Sequence, residues 1–173
     1  MSLRSLHVRF ILQKTISMKI KIIALGKIKE KYLQAGIDEF LKRLTPYATV
    51  EVVELSPIEI RDENLVEKVL DEEGEKILSR INPTSFVITL EIEGKQFSSE
   101  DFAKKIETLA NDGVGEVVFV IGSSFGISKK VSARANLKMS LSKMTFLHRF
   151  ARLILIEQIY RAFKIIKGEA YHK

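Results

Sequence analysis

The sequence predicts an α/β domain in which a largely parallel sheet is flanked by helices. Strand-like and helix-like segments alternate along residues 19–121, and each segment between two strands has helical spacing. The strands at residues 85–90 and 116–121 are apolar almost throughout. Such alternation is typical of βαβ units, and fully apolar strands are typical of sheets that are covered on both faces.

The first four strands are indicated by alternation or by runs of β-branched residues. The first strand alternates and then turns apolar before Gly26, and the second ends at the pair Ser56-Pro57. β-branched residues favour extended backbone, whereas glycine and proline interrupt it. The predicted strands lie at residues 19–24, 50–55, 85–90 and 116–121.

Three helices separate these strands, and each is indicated by apolar residues at helical spacing. Asp62 is placed to cap the second helix, and Ser98 with Asp101 forms a capping box at the start of the third. Gly113 follows the third helix and ends it. The predicted helices lie at residues 29–44, 63–80 and 98–111.

The C-terminal third predicts a short helix at residues 129–135 capped by Ser128, a short strand at 137–141 and a long helix at 148–166. The long helix is apolar nearly all the way round, so we expect it to be buried on several sides. One sheet covers only one side, and the remaining apolar surface predicts a homodimer interface. Gly168 is placed as the C-terminal cap of this helix.

Composition places the chain among globular proteins, since 46% of its 173 residues are hydrophobic and 29% are charged. Cysteine is absent, which excludes disulfides, thiolate metal sites and a cysteine nucleophile and agrees with a cytoplasmic location. No apolar run approaches the roughly 18 residues that a membrane span needs. Residues 1–17 fit no element, so we predict an extension followed by a single domain at residues 18–173.

Positive charge is concentrated at the C-terminal end of the chain. Residues 129–173 contain 11 lysines and arginines against two acids, whereas the rest of the chain holds 17 basic and 20 acidic residues. A basic region on an acidic body points to a polyanion such as nucleic acid as the partner. The alternative is a solvated helix face whose basic groups pair with carboxylates, and charge alone does not decide between the two.

Two segments lie where ligands of parallel sheets bind, at the carboxyl ends of the strands. Residues 89–91 end the third strand, and residues 122–126 follow the fourth. A glycine directly after a buried strand, such as Gly122, permits close approach of a ligand to the backbone. One G-x-x-x-G pattern matches neither the phosphate loop nor the dinucleotide fingerprint, so a plain strand-to-helix turn is the alternative.

The segment that follows the fifth strand has two interpretations. Residues 140–145 are small and polar with apolar spacers, which suits an adenosine group held by backbone hydrogen bonds but also suits an ordinary loop. His148 begins the last helix, either as a packing residue or as a catalyst.

The end of the chain also has two interpretations. Glu157 and Arg161 have the favourable order for an ion pair along a helix, which is the structural interpretation of both. Residues 171–173 are expected to be frayed, although an aromatic ring, an imidazole and an ammonium group also suit a nucleobase.

Several short motifs follow one another in a fixed order, and each of them alone is a weak signal. They are Met18-Lys19-Ile20, Thr89-Leu90-Glu91, Val120-Ile121-Gly122, Gly126, residues 140–145, His148, Glu157-Gln158, Tyr160-Arg161-Ala162 and residues 168–172. In this order, from Met18 to Lys173, the chain resembles the RlmH (YbeA-like) family of SPOUT RNA methyltransferases.

The resemblance implies a trefoil knot in the C-terminal part, which is an exception to the rule that chains do not thread loops. It implies that the knot holds S-adenosylmethionine, that two copies pair through it, and that no metal is required. The implied reaction is methylation of N3 of a pseudouridine in large-subunit ribosomal RNA on the assembled ribosome. The residues implied to contact the methyl donor are Leu90, Gly122, Leu141, Ser142, Lys143, Met144, Thr145 and Phe146.

The candidate catalytic residues are those able to accept the N3 proton, stabilise the resulting anion or hold the base. Imidazole accepts a proton near neutral pH, so the candidate bases are His172 and His148. Arg152 and Arg161 are candidates for stabilising the anion or holding phosphate. Tyr171 is the candidate for stacking on the base.

Two positions depart from the family pattern, with Ser123 in place of the usual glycine and Leu147 in place of the usual proline. Two other functions remain open. One is a SPOUT methyltransferase that acts on transfer RNA, and the other is a non-catalytic ribosome-binding or RNA-binding module. Binding of S-adenosylmethionine would distinguish the enzymes from the module. The RNA that receives a labelled methyl group would distinguish the two enzymes.

Overall fold

The computed structural model describes residues 18–60 and 62–171, so the predicted extension at 1–17 and the candidate base His172 lie outside the described residues. Five strands form one sheet: β1 (Lys19–Leu25), β2 (Thr49–Leu55), β3 (Phe86–Gln96), β4 (Glu116–Ile121) and β5 (Leu137–Ser140). They pair in the order β2-β1-β4-β3-β5, and every pair is parallel. The predicted fold class is confirmed.

The side-chain caps that the sequence indicates are present at two helices and at the 3-10 turn that precedes a third. The helices are α1 (Lys31–Leu44), α2 (Val66–Leu78, preceded by a 3-10 turn at Glu63–Leu65), α3 (Ser99–Asn111), α4 (Lys129–Arg134) and α5 (His148–Ile166). The side chain of Asp62 accepts from the Asn64 amide at 2.9 Å, and Ser98 Oγ accepts from the Asp101 amide at 3.0 Å. Each side-chain acceptor satisfies an amide that the first helical turn leaves unpaired.

The helices cover both faces of the sheet. On one face, α5 lies between α1 and α3, and its fully buried Phe163 shares a core with Phe119 of β4. On the other face, Ile77 of α2 and Val131 of α4 pack against Val118. Alternate residues of β4 therefore face opposite layers, which explains why this strand is apolar throughout.

Strand β3 is longer than the sequence predicts. It pairs with β5 up to Leu90, leaves the ladder for four residues, and pairs again at Lys95 and Gln96. A Cβ on Gly94 would lie 2.7 Å from the Met139 amide nitrogen, so only glycine allows the strand to return to β5 here. The predicted strand ends at residue 90, so its continuation to Gln96 was not predicted.

Candidate active site

A cavity of about 660 Å³ opens at the carboxyl edge of the sheet. Its walls come from residues 90–93 of β3, residues 121–127 after β4, and the segment from 139 into the start of α5. Cavities of this size are typical of cofactor and ligand sites. The cavity lies at the edge where parallel sheets bind their ligands, because the carboxyl ends of β3, β4 and β5 converge there.

The turn after β4 forms one wall, and it requires a glycine at its first position. A Cβ on Gly122 would lie 2.7 Å from the carbonyl carbon of Gly126. The backbones of Ser123 and Gly126 exchange two hydrogen bonds, at 3.2 and 3.0 Å, which close the turn. Ser123 Oγ accepts from the Phe125 amide at 3.4 Å, so the turn accommodates the serine that replaces the usual family glycine.

A second wall is fixed by Glu91, which sequence reasoning quoted as a motif but did not propose as a site residue. Its Oε1 accepts from Thr89 Oγ1 at 2.6 Å, and its Oε2 accepts from Ser132 Oγ at 3.0 Å. Ser132 belongs to α4, so this carboxylate ties the irregular part of β3 to the helix behind it. The signal available in the sequence was an acidic residue directly after a buried strand.

The third wall is the loop between β5 and α5. Ser142 Oγ accepts from the Met144 amide at 3.0 Å, and Ser140 Oγ donates to the Ser142 carbonyl at 2.9 Å. The side chains beyond this turn are open to solvent, with Met144 74% exposed. Of the eight residues implied to contact the methyl donor, Lys143 alone is not a lining residue; the others are Leu90, Gly122, Leu141, Ser142, Met144, Thr145 and Phe146.

His148 lies on the cavity wall at the start of α5. Its Nε2 is 3.8 Å from the position that a Cβ would take on Gly26, the residue that follows β1. Burial lowers the pKa of His148 below its usual value of 6.5, and the charges of Arg149 and Arg152 lower it further, with Glu30 opposing. The imidazole is therefore neutral at pH 7, which is the form that accepts a proton.

Arg152 is buried beneath this edge. Its guanidinium donates to Glu54 Oε1 at 2.5 Å and to the Gly26 carbonyl at 2.7 Å. The side chain is 2% exposed, and its Nε has no hydrogen-bond partner among the described residues. Arg152 therefore bonds the backbone of a residue close to His148, and its charge is directed at a carboxylate.

Arg161 and Tyr171 form a separate cluster near the other end of α5. Arg161 Nη2 lies 2.6 Å from Glu157 Oε1, which confirms the predicted helix ion pair. The Tyr171 hydroxyl donates to the same oxygen at 3.1 Å. The centroid of the Tyr171 ring lies 4.9 Å from that of Tyr160. The expectation that Tyr171 is frayed was therefore wrong. Burial raises the pKa of the Tyr171 hydroxyl, and the negative charge of Glu157 raises it further.

Within one chain the two groups of candidate residues are far apart. His148 and Arg161 are separated by 13 positions of α5, which corresponds to about 20 Å at 1.5 Å per residue. Neither Arg161 nor Tyr171 lines the cavity. A single protomer therefore does not bring His148 and Tyr171 to one reacting atom.

Much of the C-terminal positive charge is used in ion pairs inside the protomer. This corresponds to the second of the two interpretations of that charge, and it leaves few basic groups of residues 129–171 free for a polyanion. The pairs are Lys129–Glu67, Lys130–Glu75, Arg149–Glu30, Arg152–Glu54, Arg161–Glu157 and Lys164–Glu169.

The sequence matches a family model described as "Predicted SPOUT methyltransferase" over residues 18–172. The chain belongs to the SPOUT methyltransferase family. The cavity therefore lies in the part of a SPOUT domain where β4, β5 and α5 meet, and membership implies that this part of the chain is knotted.

The SPOUT chain is also similar to curated bacterial proteins named "Ribosomal RNA large subunit methyltransferase H". It is 52% identical to those of Carboxydothermus hydrogenoformans and Bacillus pumilus, and 53% identical to that of Bacillus cytotoxicus. Each alignment covers 90% of this chain and the whole of the relative.

The described residues contain neither a metal-binding cluster nor a membrane-spanning helix. In residues 18–60 and 62–171, no group of three or more His, Cys, Asp or Glu side chains is arranged to hold a metal ion. In the same part of the chain, none of the helices has the length and hydropathy needed to cross a membrane.

Proposed function

We propose that this SPOUT protein transfers a methyl group from S-adenosylmethionine to N3 of a pseudouridine in large-subunit ribosomal RNA, acting as a cytoplasmic homodimer on the assembled ribosome. The observation that carries the proposal is the cavity at the carboxyl edge of the sheet, with a glycine that permits backbone contact and an imidazole on its wall. The name shared by the curated relatives supports the class of RNA.

The cavity suits a donor that carries an adenosine group and a polar amino-acid tail. Leu90, Leu141 and Phe146 supply apolar surface for a base, and the turns at Gly122 and Ser142 present backbone groups at its edge. S-adenosylmethionine, when bound there, supplies a methyl group activated by its sulfonium. The task of the protein is then to position this group and to manage one proton.

Proton removal is the step that needs a side chain, because N3 of pseudouridine carries a hydrogen and is a poor nucleophile while it keeps it. His148 is the base that we propose among the described residues, since it lies on the cavity wall and its lowered pKa keeps it neutral at pH 7. The buried Arg152 donates to the carbonyl of Gly26 and so fixes the backbone near this imidazole. His172 remains the alternative base.

The separation of the candidate residues along α5 supports the proposed homodimer. In one protomer Arg161 is about 20 Å from His148 along the helix axis, and Tyr171 is bonded to the Arg161 partner Glu157 and does not line the cavity. A second copy that packs on α5 in the opposite direction would bring its own Arg161 and Tyr171 to this cavity. The half-buried Leu153 and Ile154 of α5 offer apolar surface for such contact.

The direct test is transfer of a labelled methyl group from S-adenosylmethionine to three RNAs in parallel: ribosomes that lack the modification, naked ribosomal RNA, and bulk transfer RNA. We expect label on ribosomes only. Label on transfer RNA would support the proposed methyl transfer but show that transfer RNA is the substrate. Absence of label together with absence of donor binding would indicate a non-catalytic RNA-binding module.

A further inference from the structure

We propose that the loop between β1 and α1 is the docking surface for the RNA strand next to the target nucleotide. In this surface, which we call the lysine loop, Lys27, Lys29 and Lys31 bind phosphates and Tyr32 stacks on a base. The inference rests on the proposed RNA substrate and deepens it by naming where that RNA binds.

The first argument is the charge of the loop. Lys27, Lys29 and Lys31 are all exposed, and no carboxylate is paired with any of them in residues 18–60 and 62–171. The one acid among them, Glu30, is already bound by Arg149 Nη1 at 2.5 Å. Helix α1 carries no acidic residue in its first turn. Three uncompensated positive charges therefore lie within five residues.

The second argument is the position of the loop beside the cavity. All five strands run in parallel, so the segment after β1 leaves the sheet at the same edge as the turn after β4. The loop is joined to Gly26, and a Cβ built on Gly26 would lie 3.8 Å from the imidazole of His148, which lines the cavity. An RNA strand whose target base lies in the cavity would therefore pass over or beside this loop.

The third argument is an exposed aromatic ring at the end of the loop. Tyr32 is 65% exposed, and its ring lies 6.3 Å from that of Phe150 on α5. Aromatic platforms next to positive charge are the usual means of binding single-stranded nucleic acid without reading its sequence. Tyr32 offers its ring to a base while Phe150 supports it from the side.

Charge also argues against a second protein copy as the occupant of this surface. A two-fold axis through the lysine loop would place its uncompensated lysines near those of the other copy, and like charges that face each other oppose association. Phosphates have the complementary charge.

The test compares three triple variants with the wild-type protein in equilibrium binding to ribosomes that lack the modification, across a range of salt concentrations. The first is Lys27→Ala/Lys29→Ala/Lys31→Ala. The second removes three exposed lysines elsewhere and serves as the matched control: Lys68→Ala/Lys76→Ala/Lys104→Ala. The third, Lys27→Arg/Lys29→Arg/Lys31→Arg, keeps the charge.

We expect the first variant to lose at least about tenfold in affinity and to lower the steepness of the salt dependence by about 2–3, as loss of three phosphate contacts requires. The control and the arginine variant should bind like the wild type, and all should bind S-adenosylmethionine equally. In addition, Tyr32→Ala should weaken binding about tenfold, whereas Tyr32→Phe should not.

Equal binding by the lysine-to-alanine variant and its control overturns the docking surface. The docking surface is also overturned if analytical ultracentrifugation shows a dimeric wild type and a monomeric lysine-to-alanine variant, because the loop would then be an interface between copies. Methyl transfer by the wild type is scored separately. Lysine-dependent RNA binding without any transfer to ribosomes overturns the proposed function alone, and transfer without dependence on the lysines overturns the docking surface alone.

Discussion

The guanidinium of Arg152 lies 2.5 Å from the carboxylate of Glu54, although α5 and β2 are almost a hundred residues apart in the sequence. The arginine is 2% exposed and the glutamate 30%, so the pair is sheltered on one side only. Its second bond is to the carbonyl of Gly26, and a Cβ built on that residue would lie 3.8 Å from the His148 imidazole. We therefore assign Arg152 a positioning role in the proposed reaction.

Arg152→Ala should lower the free energy of unfolding by about 2–3 kcal/mol, because it removes a buried cation and leaves both Glu54 and the Gly26 carbonyl without their donor. Chemical denaturation measures the change. Arg43→Ala is the matched control, since Arg43 is paired with Glu39 at an exposed position of α1 and should change stability little. Equal loss in the two variants would contradict the structural role of Arg152.

Gly122→Ala should abolish donor binding, because the added methyl group collides with the Gly126 carbonyl and opens the turn that forms the cavity wall. Titration calorimetry with S-adenosylmethionine should show a loss of at least about 100-fold, equivalent to about 2.7 kcal/mol. Gly115→Ala is the control, since a Cβ there meets nothing within 4 Å. Unchanged affinity in Gly122→Ala would place the donor elsewhere.

His148 should make both activity and stability fall at acidic pH. Its folded-state pKa is below 6.5, whereas the unfolded chain has the usual value. As the pH falls through 6.5, the unfolded chain binds the proton first, so the free energy of unfolding decreases until the pH passes the folded-state pKa. Above about pH 7.5 both states are neutral and the contribution is constant.

A nuclear magnetic resonance titration of the imidazole protons measures this pKa directly, with His148→Gln used to assign the signal. We expect a midpoint below 6.5 in the wild type and a smaller loss of thermal stability below pH 6.5 in the variant. For activity, kcat/KM should decline with the same midpoint. A midpoint above 6.5 would contradict both the burial argument and the proposed proton transfer.

Mixed dimers test whether the two ends of α5 cooperate between protomers. His148→Ala and Tyr171→Ala homodimers should each have low activity, because each lacks one group from both sites. After mixing and exchange of subunits, one intact composite site forms in each heterodimer, so activity should recover toward half of the wild-type value per heterodimer. If both homodimers are inactive and mixing restores nothing, the two residues act within one protomer, whereas full activity of the Tyr171→Ala homodimer would show that Tyr171 has no part in the site.

The parts of the fold that depend on neighbouring residues were predictable from the sequence. The caps at Asp62, Ser98 and Ser128 are local, since each side chain bonds an amide two or three positions away. The return of β3 to the sheet at Lys95 was not predictable, because it depends on pairing with Met139 far along the chain. The Arg152–Glu54 pair was not predictable for the same reason, because its two residues are 98 positions apart.

The lysine loop shows a different limit of sequence reasoning. Counted together, the residues before position 129 are net acidic, and this sum conceals three lysines within five residues that have no carboxylate partner in the described structure. Conversely, the C-terminal region is strongly basic in sequence, but much of its charge is neutralised by acids from elsewhere in the fold, as at Lys129 and Lys130. Net charge along a sequence therefore does not locate the surface that is free to bind.

The most direct test of the central claim is to map the methyl group after the reaction on ribosomes that lack it. The modified ribosomal RNA would be digested to nucleosides and short oligonucleotides and analysed by mass spectrometry. The account predicts one methyl group per large subunit, carried by a pseudouridine at N3, and its loss with Gly122→Ala. A methyl group on another nucleoside, or on transfer RNA alone, would contradict it.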